Sequence, residues 1–331
     1  MSPQVTFKST EDRLPESGSA APRLAEAVRR PLAPSHGMEP RELPQPPVGV
    51  LDLGPAPALR VTGPDREKWL QGMQTNDLGK APFGGAVGAI FLAGKGRLVA
   101  DALIFRYPEE CIVVADRIDV LEAHLDKLLI MEDCEMSRVS GMRRLRYCPG
   151  DAPPAVDAPG SWQPLGFEML LQEAEAQRVL EGIEARVDPD RMEAWRIALG
   201  VPRWGPELEE DVTPIEAGLD ALLSFDKGCY VGQEVVAMAT FRGRVSWNLV
   251  RLEVEGAAPA TGSRVDPARA AGVGKRGRVT SSTQVGPVGV FMAYVHKELI
   301  VPASMVALED GRMAKVLGLP AGSKPGAGVC A

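Results

Sequence analysis

The stretch Lys227-Gly228-Cys229-Tyr230-Val231-Gly232-Gln233-Glu234 gives the strongest local indication of a functional site in this chain. A helical run over residues 235–241 follows it. Its two glycines let the backbone bend tightly on either side of the thiol. The neighbouring ammonium of Lys227 and the N-terminus of the following helix both favour a thiolate. The stretch therefore predicts a reactive Cys229 assisted by Lys227. A small buried thiol is the alternative, because free cysteines are often buried and Asp226 would partly cancel the positive field.

The second signal is a carboxylate inside an apolar strand. Asp101 lies within residues 98–105, where the two-residue period of a strand puts apolar side chains on both faces. An ionised carboxylate in such a place needs a cation, hydrogen-bond donors or a ligand, or its pKa rises. We therefore predict a ligand-binding or proton-transfer role for Asp101, with a structural salt bridge as the alternative.

Two more charged residues interrupt apolar elements. Glu168 stands in a strand predicted over residues 167–171, and Arg196 lies on the apolar stripe of a helix predicted over residues 190–199. Either charge can belong to an ordinary structural ion pair. Their spacing alone favours that interpretation.

Composition limits the class of protein. The 331 residues are 45% hydrophobic and 24% charged, which is enough for two or three packed units. No apolar run is long enough to cross a bilayer, and the first thirty residues lack a secretory signal, so we expect a cytoplasmic protein with no membrane attachment. Five cysteines without a C-x-x-C pair and three isolated histidines predict no metal site.

The charge of the chain bears on nucleic-acid binding. A net charge of −7 argues against a surface that wraps nucleic acid, because phosphate binding depends on clustered Lys and Arg. Residues 240–280 are a local exception, with eight basic and three acidic side chains. We interpret this segment as a solvated face, with an anion or RNA site as the alternative.

The composition and hydrophobic pattern of the sequence change twice along the chain. Residues 1–47 contain nine prolines and no sustained hydrophobic period, which predicts a disordered leader. The next part mixes helices and antiparallel strands without βαβ alternation, which indicates an α+β fold with a subdomain joint near residues 150–160. Within it, strands over residues 86–92 and 98–105 joined by Ala93-Gly94-Lys95-Gly96 predict a hairpin. An apolar period predicts a helix over residues 118–130, and Gly200 with Pro202 predicts the end of the helix over residues 190–199. Residues 245–331 alternate strands with Gly and Pro turns, and predict a small C-terminal β-barrel.

These motifs resemble those of the YgfZ proteins, a branch of the fold shared with the T-protein, the aminomethyltransferase of the glycine cleavage system. The resemblance covers about residues 48–317, and residues 227–234 resemble the KGC[FY]xGQE signature of that branch. The supporting motifs are Arg60-Val61-Thr62-Gly63-Pro64-Asp65-Arg66, Leu70-Gln71-Gly72, Thr75-Asn76-Asp77, Gly96-Arg97-Leu98-Val99-Ala100-Asp101, Trp195-Arg196-Ile197-Ala198-Leu199-Gly200-Val201-Pro202, Pro214-Ile215-Glu216-Ala217-Gly218-Leu219 and Gly277-Arg278-Val279-Thr280-Ser281-Ser282.

The resemblance implies a ring of three subdomains around a central hole that receives the pterin of tetrahydrofolate. Residues 48–244 would form the folate-binding domain, made of two subdomains. By their positions in the motifs, Asp101 resembles the aspartate beside the folate one-carbon centre, Glu168 the glutamate that holds the pterin edge, and Arg196 an arginine that lines the same pocket. Several YgfZ members lack an acid at the position of Asp101, so its presence leaves one-carbon transfer open.

The function that the resemblance implies is a tetrahydrofolate-binding accessory factor for iron-sulphur cluster assembly or repair. It would bring Cys229 towards the folate cavity, with iron-sulphur proteins or their assembly factors as partners. Two alternatives stay open. One is a true aminomethyltransferase that uses Asp101 as its electrostatic or proton-handling residue. The other is a folate-dependent tRNA modification factor that binds RNA through residues 240–280.

Overall fold

The computed structural model describes residues 44–148, 158–242, 245–267, 274–300 and 303–320, all of which belong to one compact unit. The predicted leader lies outside these ranges except for its last four residues. Most of the predicted joint at residues 150–160 lies outside them as well. The division of the chain into a folate-binding domain and a C-terminal domain stays a prediction.

The described residues form helices and antiparallel strands. The helices are α1 (Arg66–Met73), α2 (Ile118–Leu125), α3 (Glu173–Gly182), α4 (Pro189–Leu199) and α5 (Gln233–Arg242). The strands are β1 (Gly49–Pro55), β2 (Ala58–Thr62), β3 (Ala86–Leu92), β4 (Leu98–Arg106), β5 (Glu110–Val114), β6 (Glu135–Val139), β7 (Met142–Cys148), β8 (Gly160–Gln163), β9 (Gly166–Gln172), β10 (Trp247–Glu255), β11 (Val279–Val285), β12 (Val288–His296), β13 (Met305–Ala307) and β14 (Met313–Gly318). This mixture of helices and sheets agrees with the predicted α+β class. Within these ranges, no helix combines the length and the apolar character needed to cross a bilayer.

The strands assemble into three sheets. The N-terminal sheet has the order β3-β4-β5-β2-β6, the four-stranded sheet β1-β7-β9-β8, and the C-terminal sheet β11-β12-β10-β14-β13. Their ladders are antiparallel. The hairpin predicted between β3 and β4 is confirmed, because the N–H of Ala93 donates to the carbonyl of Arg97 at 2.9 Å and closes the turn.

The predicted C-terminal barrel is not confirmed, because the C-terminal sheet is open in the part of the chain that the structure describes. Its two edge strands, β11 and β13, are not paired with each other there. Residues 262–266 lie between these edges and exchange backbone hydrogen bonds with residues 277–279 on one side and residues 307–309 on the other. The bridges on the two sides, Arg264 with Arg278 and Val265 with Leu308, are isolated, so no continuous ladder closes a barrel here.

Helix α4 begins and ends where its sequence signals place it. The Asp188 side chain accepts a hydrogen bond from the N–H of Asp190 at 3.2 Å, and Pro189 occupies the first turn. Gly200 ends the helix with a φ of +74°, a left-handed conformation that glycine adopts without steric cost. The local sequence therefore determines both ends of the helix that contains Arg196.

Helix α2 is shorter than the apolar period over residues 118–130 predicts. The helix ends at Leu125, although the N–H groups of Leu128 and Leu129 still donate to the carbonyl of Leu125. Ile130 is 79% exposed. The apolar spacing continues through a turn that follows the helix, so periodicity alone overestimates the length of the helix.

The N-terminal and four-stranded sheets pack face to face through an apolar cluster. Leu103 and Phe105 of β4 meet Leu170 of β9 in this cluster, and all three are buried. Burial of such side chains contributes roughly 1.5–3 kcal/mol each. Asp101 lies two residues before Leu103 and so on the same face of β4. The packing therefore turns Asp101 towards the four-stranded sheet.

Candidate functional site

The segment that carries the thiol, residues 226–232, is called the thiol loop below, and it packs against the β3–β4 hairpin through two glycines. Gly232 has a φ of +83° and Gly96 a φ of +69°. A Cβ on Gly232 would lie 3.0 Å from the carbonyl oxygen of Ala93, and one on Gly96 would lie 2.7 Å from the Cβ of Val235. Both positions therefore require glycine, for the backbone conformation and for the close approach.

Cys229 lies at the surface of the thiol loop and is exposed. Cys111 and Cys148 are buried, and burial raises the pKa of each of these two thiols to about 11. Cys134 is partly buried, and burial raises its pKa as well. The interpretation of Cys229 as a small buried side chain is therefore wrong, and among the described cysteines it is the one that is exposed.

Lys227 does not point its ammonium at a carboxylate. Its Nζ donates to the backbone carbonyls of Gln74 at 2.6 Å and Asn76 at 2.7 Å. Burial lowers the pKa of Lys227 from 10.5 to about 8. The hydrogen bonds seen in the structure therefore attach Lys227 to another segment of the chain rather than to the sulphur of Cys229.

Asp101 carries a carboxyl group that the protein largely encloses, although part of the residue's surface remains accessible. Burial raises the pKa of this carboxyl, and the negative charge of Asp116 adds to the rise. The Trp204 indole and the positive charge of Arg144 act in the opposite direction. A protonated carboxylic acid is thereby favoured at higher pH than for a free aspartate, which suits ligand binding or proton transfer.

Replacement of Asp101 by Asn is expected to stabilise the ligand-free protein. Because the folded pKa is raised, the stabilising effect of the neutral acid is complete below the ordinary pKa of aspartate and is lost as the pH rises through the folded pKa. Asparagine is neutral throughout. We expect the variant to unfold about 2 °C above the wild type at pH 7.5, a shift equivalent to roughly 1 kcal/mol, and less at pH 4.5. A variant that melts below the wild type at both pH values contradicts this assignment.

Glu168 and Asp101 lie beside two neighbouring arginines of β7, Arg144 and Arg146. Arg144 donates to Asp116, whose charge acts on Asp101, and Arg146 donates to the carboxylate of Glu168. Arg144 and Arg146 are two residues apart in a strand and so lie on one face. That face also carries Leu170 and is turned to the N-terminal sheet. The structure therefore brings Asp101 and Glu168 to the same interface between two sheets, which we call the seam. It is formed by Asp101 on β4 of the N-terminal sheet and by Arg144, Arg146 and Glu168 on β7 and β9 of the four-stranded sheet.

This seam contains hydrogen-bond donors that the described residues leave unused. The Nε atoms of Arg144 and Arg146 are buried and have no hydrogen-bond partner. Glu168 is 5% exposed. Buried polar atoms without partners are rare in native proteins, because each one costs the free energy of its lost hydration. The seam is suited to a polar ligand that accepts from arginine and donates to carboxylate.

Arg196 belongs to a different cluster. Its five N–H groups make five hydrogen bonds, two to Glu193, one each to the carbonyl of Val201 and the carboxylate of Glu207, and one to the hydroxyl of Ser281. Arg196 and Glu207 are both buried. Each N–H group of Arg196 is already used within the protein, so the structure places it in a structural ion-pair cluster with Glu193 of α4 and Glu207 of the following segment, which the Ser281 hydroxyl connects to the C-terminal sheet.

One buried polar segment, residues 74–76, was not predicted as part of the site. The side chains of Gln74, Thr75 and Asn76 are buried, and Asn76 Nδ2 donates to the carbonyl of Gly88 at 2.8 Å. This segment also receives the hydrogen bonds of Lys227. Three consecutive polar residues directly after an amphipathic helix are the sequence signal that points to it.

The basic segment at residues 240–280 is in part neutralised. Lys275 lies 3.7 Å from Glu209, and Arg276 lies 2.9 Å from Glu216. Arg251 is 2% exposed and donates to the carbonyl of Ala198. These basic side chains serve contacts within the protein, which weakens the interpretation of the segment as an RNA site.

The described residues of the seam form no metal centre. Among the described residues, no group of three or more His, Cys, Asp or Glu side chains is arranged to hold a metal ion. A groove of about 430 Å³ lies elsewhere, on the C-terminal sheet, and its lining includes Glu253, Val288, Met305 and Met313. That groove is not lined by any of the predicted site residues, Asp101, Glu168, Arg196, Lys227 and Cys229.

No protein-family model matches the chain. It is 25% identical over 275 residues to the mitochondrial iron-sulfur cluster assembly factor IBA57 of Mus musculus, covering 73% of this chain and 76% of that protein. It is 27% identical over 244 residues to the tRNA-modifying protein YgfZ of Serratia proteamaculans, covering 65% and 71%. Its fold is similar to the crystal structure of the glycine cleavage system aminomethyltransferase T from Bartonella henselae, with a TM-score of 0.62 and 17% identity over 82% of this chain and 86% of that one. The chain is thus similar in sequence to YgfZ, IBA57 and aminomethyltransferase proteins, and its fold is similar to that of the T-protein.

Proposed function

We propose that this protein is a cytoplasmic tetrahydrofolate-binding accessory factor for the assembly or repair of iron-sulphur proteins, and that it acts through the thiol of Cys229. The observation that carries the proposal is the exposed Cys229 on a loop that is hydrogen-bonded to the buried segment 74–76. The name of the mouse relative, an iron-sulfur cluster assembly factor, agrees with such a role, whereas the name of the Serratia relative, a tRNA-modifying protein, agrees with the tRNA alternative. The partners are iron-sulphur proteins or their assembly factors.

The seam between the two sheets fits the pterin of tetrahydrofolate. Glu168 offers a carboxylate for the adjacent N–H groups of the pterin, and the unused Nε donors of Arg144 and Arg146 suit its acceptor atoms. Asp101 would lie beside the reactive end of the ligand, and the neighbouring apolar cluster would cover its ring. When bound, tetrahydrofolate would supply a carrier for one-carbon units. The ring of three subdomains and its central hole are part of the same proposal.

Calorimetric titration of tetrahydrofolate tests this site. We expect the wild-type protein to bind one equivalent, and Glu168→Gln to weaken binding by at least about tenfold, because an amide cannot accept the paired N–H groups as a carboxylate does. Glu173→Gln is the matched control, since Glu173 pairs with Arg143 on the opposite face of the four-stranded sheet. Equal affinities for wild type and Glu168→Gln would remove the seam from the proposal.

The second candidate function is a true aminomethyltransferase, and Asp101 favours it. A carboxyl whose pKa is raised by burial is suited to proton handling at a reacting centre. The discriminating assay supplies an aminomethyl-lipoyl carrier and tetrahydrofolate. Turnover that Asp101→Asn abolishes would establish transfer, whereas no turnover by the wild type would reject it. The RNA alternative is less favoured, because Lys275 and Arg276 are engaged by carboxylates.

A further inference from the structure

The Lys227 ammonium joins two segments that are distant in the sequence. Its hydrogen bonds go to the carbonyls of Gln74 and Asn76, and it forms no ion pair within 4.0 Å with a described residue. Both acceptors belong to the buried segment 74–76. The thiol loop is therefore attached to the interior of the N-terminal half by a cation that bonds to backbone rather than to an acid.

The same segment is attached on its other side to strand β3. The N–H of Thr75 donates to the carbonyl of Ile90 at 3.0 Å, and its Oγ1 accepts the N–H of Ile90 at 3.0 Å. Ile90 is the partner of Asp101 in the β3–β4 ladder. A short chain of hydrogen bonds and backbone thus runs from Lys227 to the strand pair that carries Asp101.

We propose that Lys227 is a positioning residue that clamps the thiol loop to segment 74–76 and so fixes Cys229 relative to the strand of Asp101. The proposal rests on the proposed function for the importance that it gives to Cys229. The clamp itself is a property of the ligand-free protein. Thiol activation, the role that the sequence indicates for Lys227, would require the ammonium to face the sulphur, whereas its observed hydrogen bonds go to carbonyl oxygens.

The clamp has a definite dependence on pH. Asp77 attracts the ammonium, Lys80 repels it, and the centre of the Tyr230 ring lies 5.2 Å from Nζ. Burial is the largest influence and lowers the pKa of Lys227 from 10.5 to about 8. In an opened loop the amine regains its ordinary pKa, so opening takes up a proton between about pH 8 and 10.5. Opening therefore becomes less favourable as the pH rises through that window.

Hydrogen exchange in the ligand-free protein measures this opening. Ser224 donates its N–H to the carbonyl of Thr75 at 2.9 Å, and Val231 donates to the carbonyl of Gly72 at 3.1 Å, so both amides report on the clamp. With intrinsic exchange rates divided out, we expect their protection to rise by about tenfold between pH 7 and pH 9. Protection that stays flat or falls across this range overturns the proposal.

Two substitutions separate a clamp from a general structural role. Lys227→Arg keeps donors for both carbonyls and stays charged, so we expect protection close to that of the wild type at pH 7 but no rise towards pH 9. Lys227→Met leaves the carbonyls of Gln74 and Asn76 without this donor, and we expect protection at the two reporter amides to fall by about tenfold, with no change in β10. If Lys227→Met keeps wild-type protection, or Lys227→Arg shows the wild-type rise, the clamp is rejected.

These measurements do not depend on folate. If calorimetry shows no folate binding at the seam, the prediction for hydrogen exchange still stands. If hydrogen exchange rejects the clamp, the calorimetric test of the folate site still stands. If Lys227→Met does not fold, the wild-type pH series and Lys227→Arg still decide the question.

Discussion

Cells that lack this protein are expected to regain no iron-sulphur enzyme activity when supplied with Cys229→Ser, whereas the wild type restores it. Serine keeps the size of the side chain but loses the nucleophilic and redox chemistry of a thiolate. Cys229 is exposed, so the substitution leaves the packing of the core intact. The measurement is the activity of a cluster-containing dehydratase or dehydrogenase in extracts, normalised to the amount of each variant.

Cys134→Ser is the control for this prediction, because Cys134 is a partly buried cysteine in the segment between α2 and β6. We expect it to restore activity as the wild type does. Full restoration by Cys229→Ser would remove the thiol from the proposed function. It would leave the folate site untouched, since Glu168 and Asp101 do not depend on the sulphur.

Arg196→Met is expected to lower the free energy of unfolding by about 3–5 kcal/mol, the cost of a buried ion pair that has lost one partner. The substitution leaves Glu207, which is fully buried, without its cation. Thermal unfolding should fall by roughly 10 °C, since 1 kcal/mol corresponds to about 2–4 °C in chains of comparable size.

The double variant Arg196→Met with Glu207→Met identifies the cause of this loss. Removal of both charges relieves the unpaired carboxylate, so we expect the double variant to be more stable than Arg196→Met alone. Unchanged stability of Arg196→Met, together with lost tetrahydrofolate binding, would contradict the structural role. It would return Arg196 to the pocket that the resemblance implies.

Local sequence signals predicted much of the fold. The strand period at Asp101, the turn after Leu92 and the terminating glycine of α4 are each decided by a few neighbouring residues. Closure of the C-terminal sheet was not decided in this way. It depends on pairing between strands that are far apart in the sequence, for which short apolar strands and turns give no register.

The candidate site was predictable only in part for the same reason. A charge in an apolar element marks Asp101, Glu168 and Arg196 equally, but it does not say which partner each one meets. The structure shows that Arg196 pairs with Glu207 and that Glu168 pairs with Arg146. It also shows that Lys227 donates to segment 74–76. Each of these contacts joins groups from separate segments of the chain, and the Lys227 contact ends on backbone carbonyls, so the sequence pattern does not predict them.

The most direct measurement of the central claim is a crystal structure of the protein with tetrahydrofolate. We expect pterin density between β4 and β9, with the N–H groups of the pterin on the carboxylate of Glu168 and its reactive end beside Asp101. Density on an outer surface or beside Arg196, with the seam between the two sheets left closed, would contradict this expectation.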